Sequence, residues 1–169
     1  GAKKKKEEMI GWIIDHKALM KLLFQYIENS PLITTNFGPG YKPESSSASL
    51  IVAADGPGSK SRLDWGIKTY GWQYSQGCIT AQIVIRGAKK LTSYEIFRNE
   101  GPLAILPMGG DKFQVVWSAP FNICKQRFNL NPSEFLDKLA AVLPYNLQPD
   151  LILDKPTVFP LCVSIASKL

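Results

Sequence analysis

The chain has 169 residues, 45% of them hydrophobic and 20% charged, with a formal net charge of +6. This supports one domain of ordinary size with its own core and excludes disordered and collagen-like classes. No apolar run reaches bilayer-spanning length, the lysines at 3–6 lead into Glu7 and Glu8 rather than a signal-peptide core, and the other basic residues are scattered, so the sequence reads as cytoplasmic and without a nucleic-acid partner.

Residues 1–9 read as a disordered lead-in, with Gly1-Ala2 resembling a cloning remnant. Asp15 is placed to cap a helix whose apolar stripe is Leu19, Leu22, Leu23, Tyr26 and Ile27, and Asn29-Ser30-Pro31 stops it. Residues 36–49 are rich in Gly, Pro and Ser and predict a loop. The wholly apolar run at 50–54 predicts a strand covered on both faces. After it, Asp55-Gly56-Pro57-Gly58 turns, and Ser59 can cap a short helix through Trp65.

From Ile67 the pattern becomes extended. Residues 69–86 and 94–98 predict strands, and two more at 103–106 and 113–118 flank a hairpin turn at 108–112. Asn131, Pro132 and Glu134 form a capping box for a helix with apolar face Phe135, Leu136, Leu139, Ala140 and Leu143, and strand-like residues near 158–161 close the chain. The expected class is α+β, a mostly antiparallel sheet with helices on one face. Trp12, Trp72 and Trp117 are expected to pack in the core or across strands.

Cys78, Cys124 and Cys162 form no CxxC and read as small buried apolar residues. His16 is the only histidine. No metal site and no catalytic triad are expected. The stretch at 51–62 is chemically richer. An apolar run ending in Asp-Gly, followed by Gly, Ser and Arg at a helix start, suits an anionic ligand close to backbone, with Asp55 free to accept hydrogen bonds from sugar hydroxyls. A strand followed by a capped turn accounts for the same residues.

The string ADGPGSKSR at 54–62 resembles the ADGxxSxxR motif of the para-hydroxybenzoate hydroxylase superfamily of flavoprotein monooxygenases. GWIIDH at 11–16 with Leu19 is similar to the helix entry of its UbiH/VisC-like branch of ubiquinone-biosynthesis hydroxylases. YEIFRNEGPLAILP at 94–107 resembles that branch's E-x-F-x-x-x-G-P-x-A-x-L-P signature, and VVWS at 115–118 and FPL at 159–161 follow in the expected order.

That resemblance implies an internal part of such an enzyme. Residues 10–66 would be a remnant of FAD-domain elements, and 67–169 a substrate-covering sheet with one helix. It lacks the GxGxxG fingerprint and the later Gly-Asp motif, so the chain alone is expected to bind no FAD. Residues 36–49 are also shorter than the family's usual strand pair. In the parent, NAD(P)H supplies electrons and FAD activates O2 toward an electron-rich ring; the protein orients the substrate and excludes water. The resemblance implies cofactor contacts at Asp55, Gly56, Lys17 and Arg62, and an apolar substrate wall of Phe97, Pro102, Leu106 and Pro107. The substrate would be an aromatic or polyprenylated phenol or quinone precursor, bringing the enzyme to a membrane surface peripherally. The competing expectation is a non-catalytic domain that binds a hydrophobic ligand or a protein through its sheet face.

Overall fold

Period-two alternation dominates the middle of the chain, and those residues fold as a sheet. The computed structural model describes residues 11–38 and 48–168; the expected lead-in at 1–9, most of the expected loop at 36–49, and Leu169 lie outside the described residues. The elements are α1 (His16–Glu28), α2 (Lys60–Asp64), β1 (Thr69–Arg86), β2 (Tyr94–Ile96), β3 (Leu103–Gly109), β4 (Lys112–Pro120), α3 (Phe121–Phe128), α4 (Pro132–Ala140), β5 (Gln148–Ile152) and β6 (Thr157–Ala166). The strands form one six-stranded sheet in the order β2-β3-β4-β1-β5, with β6 also paired to β1. The class is α+β and the pairing is mostly antiparallel.

Two compact units divide the described residues. One holds residues 11–15 and Tyr74–Leu161; the other holds the described part of His16–Gln73 and residues 162–168. In the larger unit, register sets the core. Ile79 stands opposite Trp117 and Ile83 opposite Phe113, while Leu103 and Ile105 face Trp117 and Val115. All of these side chains point to one face and are buried. Phe135 and Leu139 of α4 close over them, joined by Leu143 and Leu147 beyond the helix end. The Phe135 ring meets Trp117 edge-on, 6.1 Å between centroids, a favoured aromatic geometry. The opposite face, with Thr80, Gln82, Leu106, Gln114 and Val116, stays half-buried.

Local signals explain most element ends. The capping box of α4 is complete: Asn131 Oδ1 accepts from the Glu134 amide at 2.9 Å, and Glu134 Oε2 accepts from the Asn131 amide at 3.1 Å. The β3–β4 hairpin turns through Gly109 and Gly110 at φ 102° and 61°, backbone that other residues adopt only with strain.

Several expectations need correction. The stretch from 67 onward carries two helices rather than one. The additional helix, α3, starts after Pro120 with no side-chain cap, so the sequence offers no start signal for it. Residues 50–54 form no strand, and Leu50 and Val52 are 78% and 76% exposed. An apolar run becomes a covered strand only when neighbours pair with it, and none does so among the described residues. The helix at α1 forms where its periodicity predicts, but it buries none of its residues. Trp117 lies in the core; Trp12 and Trp72 are exposed and are not core residues, Trp72 standing on β1. Cys124 is buried, Cys78 is half-buried and Cys162 is exposed, so only one thiol meets the expectation of burial.

Replacing the fully buried Leu139 by Ala is expected to lower unfolding stability by about 2–5 kcal/mol. Asn131→Ala, which removes only the cap, should cost about 1 kcal/mol. Urea denaturation of the two variants checks this ordering.

Candidate functional site

The Asp-Gly segment forms a closed local network in the smaller unit. Asp55 Oδ1 accepts a short hydrogen bond from Ser59 Oγ, and its Oδ2 accepts from the Ser61 amide at 3.1 Å. Ser59 Oγ in turn accepts from the Arg62 amide at 3.0 Å, which caps α2. These donors, Ser59 first and the Ser61 amide next, hold the Asp55 carboxyl at about 2, below its ordinary 3.8. Gly56 takes φ 82°, and a Cβ there would have nothing within 4 Å among the described residues, so its backbone is open to a ligand.

A cleft of about 380 Å³ opens beside this network, lined by Asp55, Gly56 and Arg62 together with Ile51, Trp65 and Lys168, among others. Arg62 donates from Nη2 to the Pro57 carbonyl at 2.8 Å, while its buried Nε has no partner among the described residues. Three of the four expected cofactor contacts therefore converge. Lys17, exposed on α1, is not among the cleft's lining residues. Sequence reasoning missed Trp65 and Lys168. Lys168 reaches the cleft two residues beyond the end of β6, more than a hundred residues along the chain, and no local signal announces it.

Among the described residues, the four expected substrate-wall residues fall at separate places on the larger unit. Pro107 borders a cleft of about 540 Å³ with Trp12, Leu91 and Met108. Leu106 sits on the half-buried sheet face, opposite Gln114 in register. Phe97 is 84% exposed and borders a shallow recess with Arg98, Asn99 and Glu100. Pro102 is exposed just before β3.

A cluster that the sequence did not reveal lies behind Phe97. Both oxygens of Glu100 accept from Arg127 Nη2, at 2.9 and 2.8 Å, and Oε1 also accepts from Trp117 Nε1 at 3.1 Å. Arg98 Nε stands 3.8 Å away. The Arg127 guanidinium lies 3.7 Å from the Trp117 ring centroid, a cation–π arrangement. Partial burial pushes the Glu100 carboxyl up, but the bonds from Arg127 and Trp117 and the nearby arginine charges outweigh it, leaving it below its ordinary value. Arg127 sits on the helix that lacked a start signal, so its pairing with Glu100 could not be read from spacing. Among the described residues no cluster of His, Cys, Asp and Glu could hold a metal, and no helix is long and apolar enough to cross a membrane.

No protein-family model matches the chain. It is 28% identical over 172 residues to the uncharacterized protein slr1300 of Synechocystis, a match covering 91% of this chain and 42% of that protein. To the 3-demethoxyubiquinol 3-hydroxylase of Escherichia coli it is 26% identical over 156 residues, 82% of this chain and 39% of the enzyme. To the mitochondrial ubiquinone biosynthesis monooxygenase COQ6 of Saccharomyces cerevisiae it is 31% identical over 112 residues, 66% of this chain and 22% of that protein. The last two are named as a demethoxyubiquinol hydroxylase and a ubiquinone biosynthesis monooxygenase, and the chain spans less than half the length of all three.

The depressed Asp55 carboxyl has a directional consequence. Because folding favours its charged form, its contribution to stability is present above the ordinary value of 3.8 and is lost as pH falls toward about 2. The Ser61 amide signal, followed by NMR during acid titration, should therefore move with a midpoint clearly below 3.8. A midpoint at or above that value would show that the carboxylate network does not form.

Proposed function

We propose that this chain is part of an FAD- and NAD(P)H-dependent monooxygenase that hydroxylates an aromatic or quinone-precursor ring. The observation that carries the reading is the convergence of Asp55, Gly56 and Arg62 on one cleft, within the motif that resembles the flavoprotein hydroxylases. The names of the Escherichia coli and yeast relatives support the same chemistry.

The residues present fit part of a dinucleotide. Two of the roughly four lone-pair positions of the Asp55 carboxylate are taken by Ser59 and Ser61, leaving about two for sugar or ribityl hydroxyls. The Arg62 guanidinium and Lys168 supply cations suited to phosphate. The open backbone at Gly56 admits close approach. When bound, FAD reduced by NAD(P)H supplies the activation of O2 and the transfer of one oxygen atom to the ring. The chain's own part is to hold the nucleotide end in the smaller unit and, in the larger, to offer the half-buried sheet face that carries Leu106 and Val116 as a surface that orients a ring and excludes water. A polyprenylated substrate would bring the parent protein to a membrane surface.

The test uses a longer polypeptide that joins this chain to a dinucleotide-binding βαβ unit and to a segment bearing the later Gly-Asp motif. It should retain FAD and oxidise NAD(P)H faster when given a phenolic quinone precursor, with a hydroxylated product. Asp55→Ala should weaken FAD binding about tenfold or more, as expected for losing charge-assisted hydrogen bonds. Unchanged FAD affinity in that variant would remove the cleft from the cofactor site. The 169-residue chain alone contains no GxGxxG, and FAD fluorescence titration should show negligible binding; saturable micromolar binding would contradict this.

A further inference from the structure

The turn joining β2 to β3 is held far more firmly than its exposure would suggest. Gly101 adopts φ 141°, and a Cβ there would stand 2.8 Å from the Ser118 carbonyl oxygen. Its amide donates to the Arg98 carbonyl at 3.1 Å, and the Pro102 carbonyl accepts from the Ser118 amide at 2.9 Å. Arg98 Nη1 reaches the Val142 carbonyl at 3.3 Å. Between these anchors, Glu100 is gripped by Arg127 and Trp117. The Arg127 side chain is 11% exposed and that of Glu100 28%. Exposed ion pairs contribute little; a part-buried carboxylate with three charge-assisted or aromatic N–H bonds, on a guanidinium stacked against an indole, is a rigid mount. Yet the large apolar residue on this mount, Phe97, is 84% exposed. The ring stands at the start of the anchored turn, beside Arg98, Asn99 and Glu100.

We infer that Arg127 is a positioning residue: through Glu100 it fixes the turn at 97–102, so that Phe97 and Pro102 are presented in one orientation to a ring-bearing ligand. What the turn is for rests on the hydroxylase reading; how the turn is held does not. A supporting residue that locks the rotamers and backbone beneath a contact surface is what precise ligand placement requires. Lysine cannot reproduce the role, because an ammonium does not stack on the Trp117 indole as the guanidinium does.

The experiment has two arms, each using Arg127→Lys and Glu100→Gln. In the isotopically labelled 169-residue chain, the amide signals of residues 97–101 and the Trp117 indole N–H should shift and broaden, while the amide signals of residues 59–64 stay in place. Turn signals identical to those of the unaltered chain in both variants would overturn the inference. In the longer polypeptide, both variants should raise KM for the phenolic substrate roughly tenfold while kcat changes less than about twofold. Loss of kcat with unchanged KM would overturn the ligand-facing role, since it would indicate a general disturbance of the fold. Should the unaltered longer polypeptide hydroxylate no phenolic ring, the hydroxylase reading fails, and the turn signals alone still decide whether Arg127 positions the turn.

Discussion

Alternate side chains of β1, β3 and β4 leave water together, and the rest of the larger unit is arranged around that burial. Fully burying an Ile, Leu or Phe side chain contributes on the order of 1.5–3 kcal/mol, and a one-residue slip of register would turn the whole set outward. The pairing of Ile79 with Trp117 and of Ile83 with Phe113 therefore has little freedom. Once it is set, the opposite face of the same strands is determined too. Its small, polar and moderately apolar residues stay half-buried because they sit at the other phase of the same alternation.

Trp117 links the core to the surface. Its ring packs on Phe135 at the centre of the hydrophobic cluster, while its indole N–H binds Glu100 and its face carries Arg127. One side chain thus ties a buried layer to an exposed turn. A tryptophan suits this post because it combines a large apolar body with a single donor that must find a partner when buried. The firmness of the turn at 97–102 is inherited from the core rather than built locally.

The smaller unit has a different character. Its organised feature is the Asp55 network, built over a few residues by hydrogen bonds that a carboxylate, a serine hydroxyl and backbone amides make at short range. The apolar residues of this unit, including Leu50, Val52 and the stripe on α1, remain largely exposed. A polar network of this kind needs no deep core, which is why it forms beside a segment that gained no strand partners. The same locality made part of it readable in advance: the Ser59 cap of α2 follows from its position, whereas the bonds from Ser59 and Ser61 to Asp55 appear only in the folded segment.

What the sequence determined by itself follows from interactions of short range. The capping box at Asn131, the hairpin glycines, the alternation in β1 and β4, and the Asp55 segment all rest on neighbours a few residues apart. Their periodicity and chemistry are therefore written in order along the chain. Tertiary structure alone decided the rest. Helix α3 formed without a cap because Cys124 and its neighbours pack against β4, and residues 50–54 failed to become a strand because pairing needs a partner that periodicity cannot supply. Arg127 met Glu100, and Lys168 reached the Asp55 cleft, only after distant segments were brought side by side. A charged side chain carries no mark of the partner it will find; that partner is chosen by the register and packing of elements far away in sequence.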